Sequence, residues 1–321
     1  MFAKTVFPKT VLARRRGLIV AGVLAVGAIA LAGCSSGNPL SNTTTAASGS
    51  ASSTTITVGS AAFPENEIIA QIYAQALAAN GVTVKTQLNI GQRAVYLAAL
   101  QDGSIDLVPE YSGNLLQNYD PKSTAQSSDD VFAALNDALP KGFEVLKQSA
   151  AQDADSYNVT TEFSQKYNVK SLADLAGLNI PLIVAGNPEL GQRPYGIPGL
   201  KSVYGVTATL LPISDSGGPN TVKALLDNQA QLADIFTTTP AIKANGFVTL
   251  ADPQHMIVAQ NVVPLINSKK ASDKVTAVLN KISAALTTQD LIAMNTKSSG
   301  SAKESADAIA KEWLAQKNLF G

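Results

Sequence analysis

Imidazole and thiol are nearly missing from this chain. Its 321 residues include one His and one Cys, along with one Trp and three Met. A disulfide needs two cysteines, and a zinc site ordinarily draws three or four ligands from His and Cys. The sequence therefore predicts no disulfide framework, no metal centre and no cofactor held by such residues. Any Ser-His-Asp or Cys-His centre would have to use His255, because both chemistries route a proton through an imidazole. His255 follows Asp252-Pro253-Gln254 with no paired nucleophile, and it reads as a solvated loop residue. Aromatics are few at 6% and charged residues make up 15%, whereas apolar residues reach 45%. That balance excludes disorder for most of the chain, and no repeat with a period of 20–50 residues is visible. The length suggests about two domains.

The first 34 residues differ from the rest. Lys4, Lys9, Arg14, Arg15 and Arg16 come without an acid, and an unbroken apolar run occupies residues 17–32. A basic head before a hydrophobic stretch of this length has the pattern of an export signal, slightly short for a membrane span. It ends in Leu31-Ala32-Gly33-Cys34, which resembles the bacterial lipobox, in which the cysteine is lipidated and becomes the first mature residue. Arg15-Arg16 also resembles a twin-arginine signal, leaving the export route open. The expectation is a signal peptide over residues 1–33, a lipid anchor at Cys34, and a small, polar, flexible tether over residues 34–54. Removing residues 1–33 takes away five basic side chains and no acid, so the balance of 24 basic and 24 acidic residues becomes a net charge of −5. A mildly acidic exported body has no basic footprint for nucleic acid.

From Thr55 onward, short apolar runs alternate with amphipathic stretches. Strands are predicted at Ile56-Thr57-Val58, over residues 82–88, 105–108, 144–146, 180–185, 209–212, 234–236 and 262–266. Helices are predicted after Pro64 and over 94–101, 114–118, 129–139, 161–167, 220–228, 271–285 and 303–316. This alternation indicates an α/β protein with parallel sheets covered on both faces. Ligands in such sheets bind beyond the carboxyl ends of the strands, so a cleft between two lobes is the expected site. Pattern alone supports an exported two-lobed binding protein or enzyme.

Several segments, in order, resemble the substrate-binding proteins of osmoprotectant ABC importers, the group that captures glycine betaine, choline, carnitine and proline betaine. They include Ile56-Thr57-Val58-Gly59-Ser60 with Phe63, Glu65 and Tyr73, and the run Ile105-Asp106-Leu107-Val108-Pro109-Glu110-Tyr111-Ser112-Gly113. Asp155-Ser156-Tyr157, Arg193-Pro194-Tyr195-Gly196, Ala233-Asp234-Ile235-Phe236 and Val262-Val263-Pro264 follow. The resemblance implies a type II periplasmic-binding-protein-like fold, with two α/β lobes joined by two hinge crossovers and a ligand cleft between them. Lobe 1 would comprise residues 55–153 and 259–321, and lobe 2 residues 154–258. It also implies a monomer that binds solute without turnover and presents it to a membrane permease driven by an ATPase.

A quaternary ammonium cannot donate a hydrogen bond, so aromatic faces hold it through their quadrupoles, while a ligand carboxylate suits the fork of an arginine. Carried over position by position, the resemblance places Tyr111 and Tyr157 on cage tyrosines. Phe236 replaces a third, and Gln260 stands where a fourth is usual. Ala61 stands where a Lys is common, Asn114 replaces a Thr, and Arg193 keeps the carboxylate-binding arginine. Arginine usage independently supports a special role. After the signal only Arg93 and Arg193 remain beside 17 lysines, and a chain that otherwise uses Lys keeps Arg where a planar fork matters. Arg93, at a strand-to-helix turn, faces the cleft in this class of fold. Glu65-Glu67 and Asp129-Asp130 read as helix-start carboxylates favoured by the macrodipole. Ser216-Gly217-Gly218-Pro219 reads as a tight turn, lacking the Lys and spacing of a phosphate loop. The altered cage keeps open a different small polar or aromatic solute. Two other classes also stand beside the transport role: a hydrolase or transferase on the same fold, which lacks His, Cys and a nucleophile elbow, and an envelope surface interaction protein.

Overall fold

A computed structural model of the chain describes residues 55–319. The signal peptide, the lipidated Cys34 and the tether, all expected within residues 1–54, lie outside the described residues.

The chain begins with β1 (Ile56–Gly59), α1 (Pro64–Ala79), β2 (Val84–Gln87), α2 (Arg93–Asp102), β3 (Leu107–Tyr111), α3 (Ser112–Tyr119), α4 (Ser128–Ala138) and β4 (Phe143–Val145). It crosses to β5 (Tyr157–Val159), α5 (Thr161–Tyr167), β6 (Ile183–Gly186), α6 (Ile197–Tyr204), β7 (Thr209–Pro212), α7 (Pro219–Leu226), β8 (Leu232–Asp234), α8 (Ala241–Ala244) and β9 (Val248–Thr249). It then returns through β10 (Val262–Asn267) to α9 (Asp273–Ala285), α10 (Thr288–Ser299) and α11 (Ala306–Lys317). Among the described residues there are two five-stranded sheets, ordered β2-β1-β3-β10-β4 and β7-β6-β8-β5-β9.

Neither sheet is purely parallel, which corrects the sequence expectation. β1 runs parallel to β2 and β3, but β10 is antiparallel to both β3 and β4. In the second sheet β6 is parallel to β7 and β8, while β5 is antiparallel to β8 and β9. The antiparallel members β5 and β10 are the first strands after each crossover. A strand that arrives from the other sheet enters without a βα crossover helix and need not share the direction of its neighbours.

Alternation along the strands sorts side chains onto two faces of each sheet. Ile56, Val58, Leu107, Val262 and Ile266 pack with buried residues of α1, α9, α10 and α11, Trp313 among them. Val108, Val263 and Leu265 point the other way, onto Tyr96, Leu97, Leu115, Leu116, Val131 and Leu135. The second sheet divides likewise, Val184 and Leu232 on one face and Ala185 and Ala233 on the other. Pro109 in β3 lies directly opposite Pro264 in β10. Neither has an N–H to give, and each turns its carbonyl away from the other. Pro109 O accepts from Asn66 Nδ2, and Pro264 O from the Leu146 amide, both at 3.0 Å. Prolines thus sit inside central strands without orphaning a ladder partner.

The two crossovers lie side by side. Gln152 and Asn261 form an antiparallel bridge, the Val262 amide donates to Ala151 O at 3.0 Å, and the Asp153 amide donates to Gln260 O at 3.2 Å. Helix α3 approaches the returning segment closely. A Cβ on Gly113 would come within 2.5 Å of Ala259 O, so glycine is required there.

Candidate functional site

The crossovers place the carboxyl ends of both sheets against one another, and a cleft of about 580 Å3, its open mouth included, lies between them. Ala61 and Phe63 reach it from the turn after β1, Gln92 and Arg93 from the start of α2, and Tyr111 from the last residue of β3. Asp153 and Asp155 come from the first crossover. Asn187, Glu189 and Leu190 follow β6, Ser216 follows β7, and Asp234 ends β8 with Phe236 just beyond. This is the strand-end crevice expected of open α/β sheets.

One part of the lining is aromatic. Phe63, Tyr96, Tyr111, Tyr195 and Phe236 all line the cleft. The Phe63 ring centroid lies 6.0 Å from Tyr111 and 5.6 Å from Phe236, the latter at 67°, which is an edge-to-face geometry. Phe63 begins α1, where Pro64 at the first helical position fixes the chain entering the helix. Tyr111 is 6% exposed, and its hydroxyl donates to Glu65 Oε1 at 2.7 Å, leaving the ring to face the space.

The other part is acidic. Asp153, Asp155, Glu189 and Asp234 line the cleft, and Arg93 is the one basic side chain on this lining among the described residues. Arg93 is already engaged: Nε donates to Glu110 Oε1 at 3.0 Å and Nη2 to Oε2 at 3.1 Å, a fork-on-fork pair. Tyr96 Oη donates to the same carboxylate at 2.8 Å. Asn114 Nδ2 donates to Asp155 Oδ2 at 2.7 Å. Asp234 is 1% exposed, and its Oδ1 has no hydrogen-bond partner among the described residues.

Burial raises the pKa of Asp234 well above the ordinary aspartate value, and the neighbouring Asp155 charge adds to the rise. Burial likewise raises Asp155, against the pull of its Asn114 hydrogen bond. Asp153 is pushed well up by burial and then by Glu65. Glu65 is itself raised by burial, although it accepts from Thr238 Oγ1 and Asn295 Nδ2, both at 2.6 Å, as well as from Tyr111. Desolvation disfavours the charged form of each acid, and adjacent carboxyl groups disfavour double ionisation.

The residues singled out from sequence are distributed unevenly. Tyr111, Asn114, Arg93 and Phe236 meet in the cleft. Tyr157 does not line it. Its ring is 1% exposed in the core of the second lobe, and its hydroxyl donates to Tyr195 O at 2.8 Å, so that it supports a lining residue from behind. Gln260 is also buried behind the lining, where it exchanges two hydrogen bonds with Asn114. The Asn114 amide donates to its Oε1 at 2.9 Å, and its Nε2 donates to Asn114 Oδ1 at 2.7 Å. Arg193, expected as the carboxylate clamp, does not line the cleft, and Nη1 donates instead to Asn118 Oδ1 at 3.3 Å. The chain turns between Arg193 and Gly196, and this turn presents Tyr195 rather than Arg193 to the space.

Sequence reading missed Tyr96, Tyr195, Asp153 and Asp234 as lining residues, and Glu65, read as a helix-start carboxylate, is buried at 3% exposure. The run Ser216–Pro219 is a tight turn with positive φ at Ser216 and Gly217. Asp215 fills the anion position at its helix, its Oδ2 accepting from the Asn220 amide at 2.7 Å and the Thr221 amide at 3.2 Å.

Residues 54–316 match the family described as the substrate binding domain of the ABC-type glycine betaine transport system. The glycine-betaine-binding protein of Pseudomonas aeruginosa is 25% identical over 235 residues, covering 70% of this chain and 75% of the relative. The glycine betaine-binding protein YehZ of Escherichia coli is 24% identical over 289 residues, covering 82% and 90%. Among solved structures, a glycine betaine/carnitine/choline ABC transporter protein superposes with a TM-score of 0.66 at 18% identity, over 83% of this chain and all of that one; this likeness carries the fold, a type II periplasmic-binding-protein architecture. With the match spanning nearly all of both lobes, the chain belongs to the family of substrate-binding domains of ABC-type glycine betaine transport systems.

Proposed function

We propose that this chain is an extracytoplasmic, non-enzymatic receptor that captures a small quaternary-ammonium osmolyte in the cleft and presents it to an ABC permease and its ATPase. The observation that carries this reading is the convergence of Phe63, Tyr96, Tyr111, Tyr195 and Phe236 on one cleft at the strand ends. Aromatic faces attract a cation that cannot donate hydrogen bonds, each desolvated contact contributing up to about 2 kcal/mol. The paired crossovers between the lobes supply the hinge about which the cleft closes. The division into lobe 1 at residues 55–153 and 259–321 and lobe 2 at 154–258 belongs to this reading, as does a monomeric state.

The chain is held at the membrane by lipid on Cys34, with residues 34–54 as tether. The lipobox-like run and the absence of any other cysteine favour this anchor. Mass spectrometry of the mature N-terminus is expected to find acylated Cys34, and Cys34→Ala to release the chain from membranes; a Cys34→Ala chain that stays membrane-bound overturns the anchor. For the ligand, calorimetric titration with glycine betaine, choline, carnitine and proline betaine is expected to show binding of at least one, at one molecule per chain. Silence for all four, with a tight response to a solute of another class, overturns the quaternary-amine reading.

A further inference from the structure

The charge on the lining does not suit a zwitterion. A ligand carboxylate would enter beside Asp153, Asp155, Glu189 and Asp234, while the charge of Arg93 is offset by its two hydrogen bonds to Glu110. Burial holds some of these carboxyls toward the neutral form, and the negative charge that remains repels a ligand carboxylate in a water-poor site. Neutral donors stand on the lining at Gln92, Asn187, Ser216 and Tyr195, but none brings a positive charge; the Asn114 amide group already serves Asp155 and its backbone N–H serves Gln260. Arg193 is outside the lining.

The wall does hold a buried carboxyl pair. Asp234 is 1% exposed, it lines the cleft, and beyond its contact with Asp155 its Oδ1 has no hydrogen-bond partner among the described residues. A carboxyl pair that shares one proton keeps one buried negative charge, which is costly unless a donor or cation meets it. Asp155 stands beside it, close enough for the two to share a proton. Among the described residues no group of three or more candidate side chains is disposed to hold a metal ion, and the aromatic faces opposite favour an organic cation.

We propose that this cleft selects an organic monocation that carries no carboxylate and offers at least one hydrogen-bond donor to Asp234, and that it discriminates against zwitterionic betaines. This inference rests on the receptor reading above and narrows it. The donor could be the hydroxyl of an ammonium alcohol or the N–H of a protonated amine. Either would lie between the aromatic faces and the Asp155–Asp234 pair, and binding would draw both carboxyls toward the ionised form.

The test is a set of calorimetric titrations on the full chain with choline, ethanolamine, tetramethylammonium and glycine betaine. Choline or ethanolamine is expected to bind at least tenfold more tightly than glycine betaine and than tetramethylammonium, which has no donor. Choline has no N–H, so tighter choline assigns the donor to the hydroxyl, whereas tighter ethanolamine, which has both groups, shows that its N–H groups add to binding. Asp234→Asn, which keeps the side-chain shape, is expected to weaken that ligand at least tenfold while circular dichroism and Tm show an intact fold. Asp155→Asn is the second variant should Asp234→Asn fail to fold. Glycine betaine binding as tightly as choline and ethanolamine overturns the selectivity while leaving the receptor reading in place. Tight binding of ethanolamine alone supports the selectivity and removes the quaternary amine, and no binding by any of the four overturns the selectivity. Unchanged affinity in the Asp variants also overturns the proposal.

Discussion

The two parts of the cleft wall are built on opposite electrostatic plans. From the first lobe come Phe63, Tyr96 and Tyr111, with a charged pair, Arg93 and Glu110, that cancels itself. From the first crossover and the second lobe come Asp153, Asp155, Glu189 and Asp234, beside the rings of Tyr195 and Phe236 and without a basic partner on the lining among the described residues. The first wall contributes shape and polarisable faces, and the second contributes net charge. The comparison teaches that an arginine in a binding cleft is not by itself an anion site, because its charge is available only when its fork is not already filled.

The contrast can be broken most severely at the internal pair. Glu110 is fully buried beside a guanidinium whose side chain is 13% exposed. Glu110→Ala is expected to cost about 3–5 kcal/mol of unfolding free energy, since it strands a buried charge; denaturant titration measures it. The milder Glu110→Gln keeps the volume and frees Arg93, and calorimetry should show glycine betaine gaining on choline. Among the rings of the second lobe, Phe236→Ala is expected to weaken binding of any organic cation about tenfold, a loss of about 1.4 kcal/mol, whereas Phe236→Leu, which restores bulk without a quadrupole, should recover little.

Acidity of the medium tests the second wall. Asp234 and Asp155 face Asp153 and Glu189, with Arg93, Asn114, Tyr157 and Tyr195 around them. Because burial raises these two aspartates above 3.8, protonation competes with a bound cation at a pH above 3.8, so affinity falls as pH falls and protons are released on binding. For the empty chain the sign is reversed. A folded value above the unfolded one gives stability that is full in acid, below the unfolded value, and is lost as pH rises through the folded value. Melting curves across this range should therefore show a cation stabilising the chain most at the higher pH. The smallest effect is expected at Arg193. Arg193→Ala removes one hydrogen bond to Asn118 and should change solute affinity less than threefold by calorimetry.

Much of the fold was legible because it is local. Residues 161–167 and 209–212 were bounded as the structure has them, and the capping residues Ser127 and Ser272 mark real helix starts. Helix α10 was overlooked although Thr287 and Asp290 form a capping box at its start. The strand predicted over 105–108 spans residues 107–111 because β10, distant in sequence, pairs along it as far as Val262 opposite Tyr111. The strand placed at 234–236 sits two residues earlier, so Asp234 ends a strand and Phe236 follows it. The acidic wall could not be read from spacing, since Asp153, Asp155 and Asp234 come together only through the pairing of β5 with β8 and the crossover before it. Arginine usage singles out Arg93 and Arg193 alike as ligand or hinge candidates; the Arg93 fork is filled by Glu110, and only the turn after residue 193 decides which side chain there faces inward.

The facing prolines at positions 109 and 264 have a consequence for assembly. If β10 paired with β3 one residue out of step, Pro264 would have to turn its polar edge toward β3 with no N–H to offer, and Val263 and Leu265 would exchange faces with Val262 and Ile266. The seam where the returning chain closes the first lobe therefore rejects a one-residue slip, which would turn the lining residues at the strand ends away from the ligand mouth.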